Sequence, residues 1–527
     1  MVQNGQYKVL ITTSGLGSRL GNLTEYTNKS LVVVGNKPAI SYIIEMYPKD
    51  TIFVVTLGHF GHHVKQFLSI AYPNRIFEFV EVLLYRGVGS SLALSMLQAQ
   101  DKLQCSFIYH ASDSILVGEL IPSPSYNWVA GQKSEDATNY ASFDVSFPLV
   151  TKFHDKGMVD FDYLHIGVIG INDYEIFWDN LKSLVQDRPA DDSLNDLAAL
   201  IEMLSTGVEF RVCEVLRWFD IGNSHSLQKT RSILSNNSEV LEKSNESISF
   251  IDGKVIKFFS DYITCQNRVE RAQILSGIVP KVITCSENFY AYEFIDGEIA
   301  SKIKDPKIVE KLLSWASDNV WQNRDVLTED SFKQICVDFY KNKTFGRLED
   351  FFMSTGVRDL EIVINGQVVP PVREMLDDAI KLVLSDVRQS MIHGDFILDN
   401  IIRTNDGFKL IDWRQDFGGS LESGDTYYDL AKLHHSFYIN HELVSRNLFE
   451  VTQTADGVVC GILRKDYLVE MEHNFNYWLA LNGFSQGKVS VLTSLIWLNM
   501  SPLHHHPFDR FLYFYGRYGL WRSLNVV

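Results

Sequence analysis

The chain is expected to fold as two successive domains of mixed helix and strand, the first an α/β domain on a doubly wound parallel sheet. Three observations lead there. Short apolar runs alternate with amphipathic helical patterns in the first part of the chain. A polar stretch from Ser235-Asn-Asn-Ser-Glu to Glu242-Lys-Ser-Asn-Glu-Ser then breaks the patterning. After it come a hairpin pattern with an Asp-Gly turn and, later, long helical patterns. A chain of 527 residues is also too long for one core. The expected boundaries are residues 1–235 for the first domain, 236–246 for a linker and 247–527 for the second domain.

In chain order, Tyr7-Lys-Val-Leu-Ile-Thr reads as a buried strand running into Thr13-Ser-Gly-Leu-Gly-Ser-Arg-Leu20. A glycine-rich bend at a strand end lets backbone N–H groups approach a phosphate, and Arg19 adds a forked cation. Gly15, Leu16, Gly17 and Ser18 are therefore candidate phosphate-binding residues, with Arg19 and Lys29 as cations close in sequence. A helix pattern from Ala39, a strand at Thr51-Ile-Phe-Val-Val-Thr and a helix from Gly61 to Ile70 continue the alternation. In such sheets the ligand sits at the carboxyl ends of the strands.

Composition limits the function. The formal net charge of -17 argues against nucleic acid and anionic membrane surfaces as partners. Six cysteines without Cys-x-x-Cys spacing suggest reduced thiols in a cytoplasmic protein with no zinc site. No apolar run reaches membrane-spanning length.

Ser14-Gly-Leu-Gly-Ser-Arg-Leu20, Lys29 and Gly35-Asn-Lys-Pro38 resemble the signature of sugar-phosphate nucleotidyltransferases, whose fold is Rossmann-like; the resemblance implies nucleotide binding at Gly15, Leu16, Gly17 and Ser18 and catalytic roles for Arg19 and Lys29. Two places depart from it: Thr12-Thr-Ser replaces the usual small-residue lead-in, and Asn28 stands where a proline normally precedes the lysine. Gly87-Val-Gly-Ser-Ser-Leu-Ala-Leu resembles the family's base-contacting segment, so Gly89 and Ser90 are expected there. The resemblance implies metal-binding roles for Asp113, at the end of Phe107-Ile-Tyr-His-Ala-Ser-Asp, and for Asp220, in Arg217-Trp-Phe-Asp-Ile-Gly. It also implies a cation for the acceptor phosphate. Lys156 fits that role, with Lys152 as a rival.

In the second domain, Ile248-Ser-Phe-Ile-Asp-Gly-Lys-Val-Ile-Lys-Phe-Phe259 reads as a hairpin ending near Lys257, and Glu270 follows on a helix. A strand lysine paired with a helix glutamate holds the α/β-phosphates in kinase-like folds. Phe289-Tyr-Ala-Tyr-Glu-Phe-Ile resembles the connection between kinase lobes, where the backbone near Glu293 and Ile295 meets adenine. Met391-Ile-His-Gly-Asp-Phe-Ile-Leu-Asp-Asn400 and Phe408-Lys-Leu-Ile-Asp-Trp-Arg414 gather two carboxylates and a carboxamide between apolar segments. Asp395 would accept or orient the proton of an incoming hydroxyl, and Asn400 and Asp412 would hold metal ions. These motifs resemble the aminoglycoside phosphotransferase and choline kinase group, which implies a bilobal kinase-like α+β fold for the second domain. Arg414 is the expected acceptor-side cation, and Asp429, before a Leu-Ala helix, the expected buttress of the loop.

The two resemblances together imply a bifunctional enzyme. ATP would phosphorylate a sugar or polyol, and a second triphosphate (CTP, UTP, GTP or dTTP) would convert the product into an activated donor for capsule or lipopolysaccharide, with Mg²⁺ at both sites. One alternative is choline kinase with phosphocholine cytidylyltransferase; another is a nucleotide-binding regulator with one inactive domain. Base, acceptor and oligomeric state are not legible.

Overall fold

The computed structural model describes residues 7–234, 244–324 and 326–525. The expected linker, 236–246, lies largely outside the described residues. The chain forms two compact units. The first comprises Met1–Tyr262 with Ile283–Tyr292, the second Ile263–Val282 with Glu293–Val527.

Unit 1 carries a nine-stranded sheet. From one edge the order is Ile76–Glu81, Ile52–Leu57, Lys8–Thr12, Phe107–Ala111, Tyr163–Ile171, Trp128–Gln132, Arg211–Glu214, Leu149–His154 and Ser142–Ser146. The first four are parallel, as the strand–helix alternation requires. Beyond these four strands the expected parallel sheet gives way to a mixed one. Tyr163–Ile171 runs antiparallel to both of its sheet neighbours, and Ser142–Ser146 and Leu149–His154 form an antiparallel hairpin. For the hairpin the physical reason is connection length: Phe147 and Pro148 leave no room for the helix that a parallel crossover needs. Helices Ala39–Met46 and Gly61–Ala71 bury Ile40, Ile43, Val64, Phe67 and Leu68 against Val9, Ile11, Phe53 and Val55. Tyr174–Asp187 and Asp196–Ser205 contribute to a second core with Leu10, Val54, Phe107 and Trp178.

The hairpin Glu246–Ile251/Lys254–Phe259 turns through Asp252 and Gly253, both with positive φ, which explains the Asp-Gly pair. Its residues Ile251, Ile256 and Phe258, with Phe289 and Ala291, belong to the core of unit 1. His63 meets Phe258 edge-on at 4.9 Å, and Phe67 lies 6.0 Å from Phe289. Gln66 Oε1 accepts from Ser286 Oγ at 2.9 Å and from Asn288 N at 3.0 Å.

Unit 2 is mixed. Short strands Gln389–Ser390, Ile401–Thr404 and Gly407–Leu410 flank the His393–Asn400 loop, as the apolar runs suggest. Long helices Thr426–Ser436, Gln486–Met500 and Phe508–Asn525 bury Tyr427, Leu430, Trp497, Phe511 and Tyr513. One sheet was not expected: Gln367–Val369, Ile362–Ile364, Gly457–Ile462 and Phe449–Thr454. Its signals are an Asn365-Gly366 turn with both φ positive and an Asp456-Gly457 turn. No described helix is long and apolar enough to cross a membrane.

Candidate functional site

The carboxyl end of the parallel strands opens into a cleft of about 1500 Å³ in unit 1. Gly15, Leu16, Gly17, Ser18 and Arg19 line it, together with Lys29, Ser90, Asp113, Lys156 and Asp220. Gly17 has a φ of 68°, and a Cβ there would lie 2.9 Å from the Cβ of Lys29. Glycine is required for both reasons, since its absent side chain lets the loop close on Lys29. Gly89, also at positive φ, approaches the carbonyl of Pro189, where a Cβ would stand 2.6 Å away. Lys152 is exposed on its strand and is not among the lining residues.

Asn28, the departure from proline, is fully buried and acts as a clasp. Its Nδ2 donates to the carbonyls of Thr13 (2.8 Å) and His59 (2.6 Å), and its Oδ1 accepts from Ser30 N and Oγ. The carboxamide thus ties the glycine-rich loop to the segment that carries Lys29.

Lys29 Nζ lies 2.5 Å from Asp113 Oδ2. Burial opposes ionisation of Asp113, but Lys29 and then Arg19 outweigh it and hold the carboxyl below its ordinary pKa. Asp220 comes from a separate strand, Trp218–Asp220, paired antiparallel to Ser114–Leu116, and the N–H of Ile221 donates to Asp113 O at 3.1 Å. Tyr140 Oη donates to Asp220 Oδ2 at 3.0 Å, and Gly222 N to Oδ1 at 2.9 Å. A Cβ placed on Gly222 would lie 2.9 Å from Asp220 Oδ1 and 3.4 Å from Asp113 Oδ2. Both carboxylates therefore face the space that glycine leaves empty. Two hard oxygen donors beside an open cleft fit Mg²⁺, which takes few protein carboxylates and completes its shell with water and phosphate. Sequence reading missed the buried pair His165–Asp196, 2.7 Å apart on the same cleft wall.

Unit 2 holds a second centre. Asp395 Oδ1 lies 2.6 Å from Lys432 Nζ, and Oδ2 accepts from Asn400 Nδ2 at 3.0 Å. Burial works against charge on Asp395, yet Lys432, His393 and Arg414 bring its pKa down to about 2. Asn400 spends its amide on Asp395, which leaves Oδ1 as its possible ligating atom. Asp412 has a φ of 59°, an uncommon conformation for a residue with a Cβ and one found disproportionately at functional sites. Its segment is bonded to the loop at both ends, Ile411 N to Asn400 O (2.9 Å) and Arg414 N to His393 O (3.1 Å). Asp429, fully buried, accepts from the backbone N–H groups of His393 (2.8 Å) and Gly394 (2.7 Å) and from Trp321 Nε1 (3.1 Å). The buttress role expected from its sequence context thus has a geometric form. Lys432 and Arg271, whose guanidinium donates to the carbonyl of Ile392, were not singled out from sequence.

Lys257 is buried on its strand in unit 1, whereas Glu270, Glu293 and Ile295 lie in unit 2. Glu293 is exposed at a strand end and Ile295 half-buried in the loop beyond it. All six cysteines are free thiols. Among the described residues no group of three His, Cys, Asp or Glu could hold a metal by itself, so either centre would need ligands from substrate or water.

No protein-family model matches the chain, and no curated protein does. Solved structures similar to the N-terminal region include CTP:phosphocholine cytidylyltransferase from Streptococcus pneumoniae, at 22% identity and a TM-score of 0.37 over 44% of this chain and 100% of that one. Others are the inositol-1-phosphate CTP transferase of T. maritima (15%, 0.35, 45% and 99%) and a UDP-glucose pyrophosphorylase from Acinetobacter (12%, 0.36, 43% and 92%).

Proposed function

We propose that unit 1 transfers a nucleotidyl group from a nucleoside triphosphate to a phosphorylated sugar or alcohol, and that unit 2, with ATP, phosphorylates that acceptor. The observation that carries this reading is the duplication of one device. Each unit has a carboxylate held ionised by a lysine, Asp113 by Lys29 and Asp395 by Lys432, beside further oxygen donors and a glycine bend.

In unit 2 the acceptor hydroxyl oxygen would bond to the γ-phosphorus of ATP as the bond to ADP breaks. A carboxylate with a pKa of about 2 is a weak base, so Asp395 would orient the hydroxyl and take its proton late before passing it to solvent. Lys432 holds the Asp395 carboxylate in place. In unit 1 an oxygen of the new phosphate monoester would bond to the α-phosphorus of the second triphosphate, and pyrophosphate would leave. The loop N–H groups of residues 15–18 and Arg19 would bind the β- and γ-phosphates, Lys29 would follow the departing charge, and Lys156 would hold the acceptor phosphate. Mg²⁺ at Asp113/Asp220 and at Asn400/Asp412 would supply neutralisation of phosphate charge in each reaction. We assign the product to activated donors for surface polysaccharide.

The test is a mixture of the full chain, Mg²⁺, ATP, each of CTP, UTP, GTP and dTTP, and a panel of sugars and polyols. ADP and pyrophosphate should both appear. With phosphorylated acceptor supplied beside the unphosphorylated panel, Asp395→Ala should abolish ADP alone and Asp113→Ala should abolish pyrophosphate alone. Loss of both products in either folded variant would overturn the two-centre reading.

A further inference from the structure

The helix Lys343–Thr355 follows directly on a π-helical turn, Asp338–Asn342. Such turns shift the register of the side chains after them and are frequent at functional sites. Here the helix carries Lys343 and, one turn on, Arg347 on the same face. The Lys343 ammonium lies 4.3 Å from the centre of the Phe339 ring, and the Arg414 guanidinium lies 5.1 Å from the same centre. Arg414 is pressed onto the loop of the second centre, where a Cβ on Gly394 would stand 2.7 Å from its own Cβ. Lys432 extends the group to Asp395.

Of these four cations, Lys432 has a carboxylate partner. Among the described residues Lys343, Arg347 and Arg414 form no ion pair, and the buried Nε of Arg414 has no hydrogen-bond acceptor. Asp416 faces Lys343 without pairing with it. Holding like charges together in a partly buried site is costly, and the cost shows at Lys343: burial, then Arg414, Arg347 and Lys432, bring its pKa down to about 7. In a chain of net charge -17, a cluster of unpaired cations beside the transfer carboxylate calls for an anionic guest.

We infer that Lys343, Arg347 and Arg414 form an anion subsite for the acceptor of unit 2, so that the hydroxyl to be phosphorylated belongs to a molecule already carrying a carboxylate or a phosphate monoester. This rests on the kinase reading of unit 2. Arg414 packs over Gly394, next to Asp395, so an anion held by the three cations would bring a neighbouring hydroxyl toward Asp395. A cationic acceptor such as choline would meet repulsion at the same place.

The test is site-specific acylation of Lys343 in the full-length protein. Brief pulses of acetic anhydride are given without ligand and with inorganic phosphate, glucuronate, glucose 6-phosphate or glucose, and labelling is read by mass spectrometry of the Lys343 peptide. At least one anion should slow labelling about tenfold, as expected near full occupancy, while glucose should have no effect. Protection by phosphate and glucose 6-phosphate would identify the phosphate monoester, and protection by glucuronate the carboxylate. Arg347→Gln should weaken the protecting anion about tenfold, the worth of one charge-assisted hydrogen bond, and Arg347→Lys should restore part of it. Protection by none of the anions, or by MgATP alone, would overturn the inference. ADP release measured with the same compounds separates the two readings. Protection without ADP from any acceptor would uphold the anion subsite and refute the kinase assignment. Equal turnover of glucose and its anionic counterparts, without protection, would do the reverse.

Discussion

Replacing Gly222 by alanine should slow the first centre about tenfold while leaving its fold intact. The glycine lies outside the left-handed region, so its backbone accepts a side chain. The new methyl group would stand 2.9 Å from Asp220 Oδ1 and 3.4 Å from Asp113 Oδ2. Reaching ordinary contact requires Asp220 to move by about 0.5 Å, and the methyl also occupies the space both carboxylates face. Reacting groups displaced by about 1 Å lose on the order of 10²-fold in rate, so roughly tenfold is expected for half that shift. Two measurements check this. The rate of pyrophosphate release with phosphorylated acceptor should fall by about that factor. The affinity for Mn²⁺, read by electron paramagnetic resonance as a spectroscopic substitute for Mg²⁺, should fall by about 1.4 kcal/mol, which is tenfold. Thermal unfolding should be close to that of the unaltered protein. A folded variant with unchanged rate and unchanged Mn²⁺ affinity would refute a shared ion between Asp113 and Asp220.

Three further outcomes follow from the geometry. Asn28→Ala removes both donors and the acceptor of the clasp, and unit 1 should lose about 2–4 kcal/mol in denaturant titration together with its nucleotide affinity. Asp429→Ala leaves the N–H groups of His393, Gly394 and Trp321 unpaired in a buried place, so a loss of about 3 kcal/mol or more and near-complete loss of ADP formation are expected, with unit 1 chemistry retained. The ion pair of Lys432 with Asp395 has a defined pH signature. Because the folded pKa of about 2 lies below the ordinary 3.8, its stabilisation is complete above about pH 4 and is lost as pH falls toward 2. Lys432→Met should flatten that acid dependence in unfolding measurements and move the acid limb of ADP release upward.

What could be read from sequence was whatever depends on local order. The glycine-rich bend at Gly15–Gly17, the strand ends before Asp113 and Asp220, and the His393–Asn400 loop are contiguous motifs, and their spacing is visible before folding. The partners of these residues were hidden because they arrive through space. Lys432 lies 37 positions beyond Asp395 and looks like any helix lysine until the fold brings it to 2.6 Å. Lys343 and Arg347 have no motif, and what sets them apart is the absence of an ion-pair partner, a three-dimensional property. Asn28 looked like a blemish in a signature because a proline and a buried carboxamide immobilise a loop by different means, one through ring geometry and the other through hydrogen bonds. The reversal of the sheet at Tyr163–Ile171 escaped because alternation of apolar residues reports a strand without its direction.

The hairpin Glu246–Phe259 and the strand Phe289–Glu293 come after the polar stretch in sequence, yet Phe258 and Phe289 share a core with His63 and Phe67 of the first unit. A gene cut at the polar stretch would therefore divide a hydrophobic core. A fragment ending near Leu234 would show water the apolar face of Val64, Phe67 and Ile256's other neighbours, and should be recovered as aggregate, whereas one extended through Tyr292 would keep that face covered. The seam that a reader of the sequence would choose for dissection is, for whoever expresses the halves, the wrong place to cut.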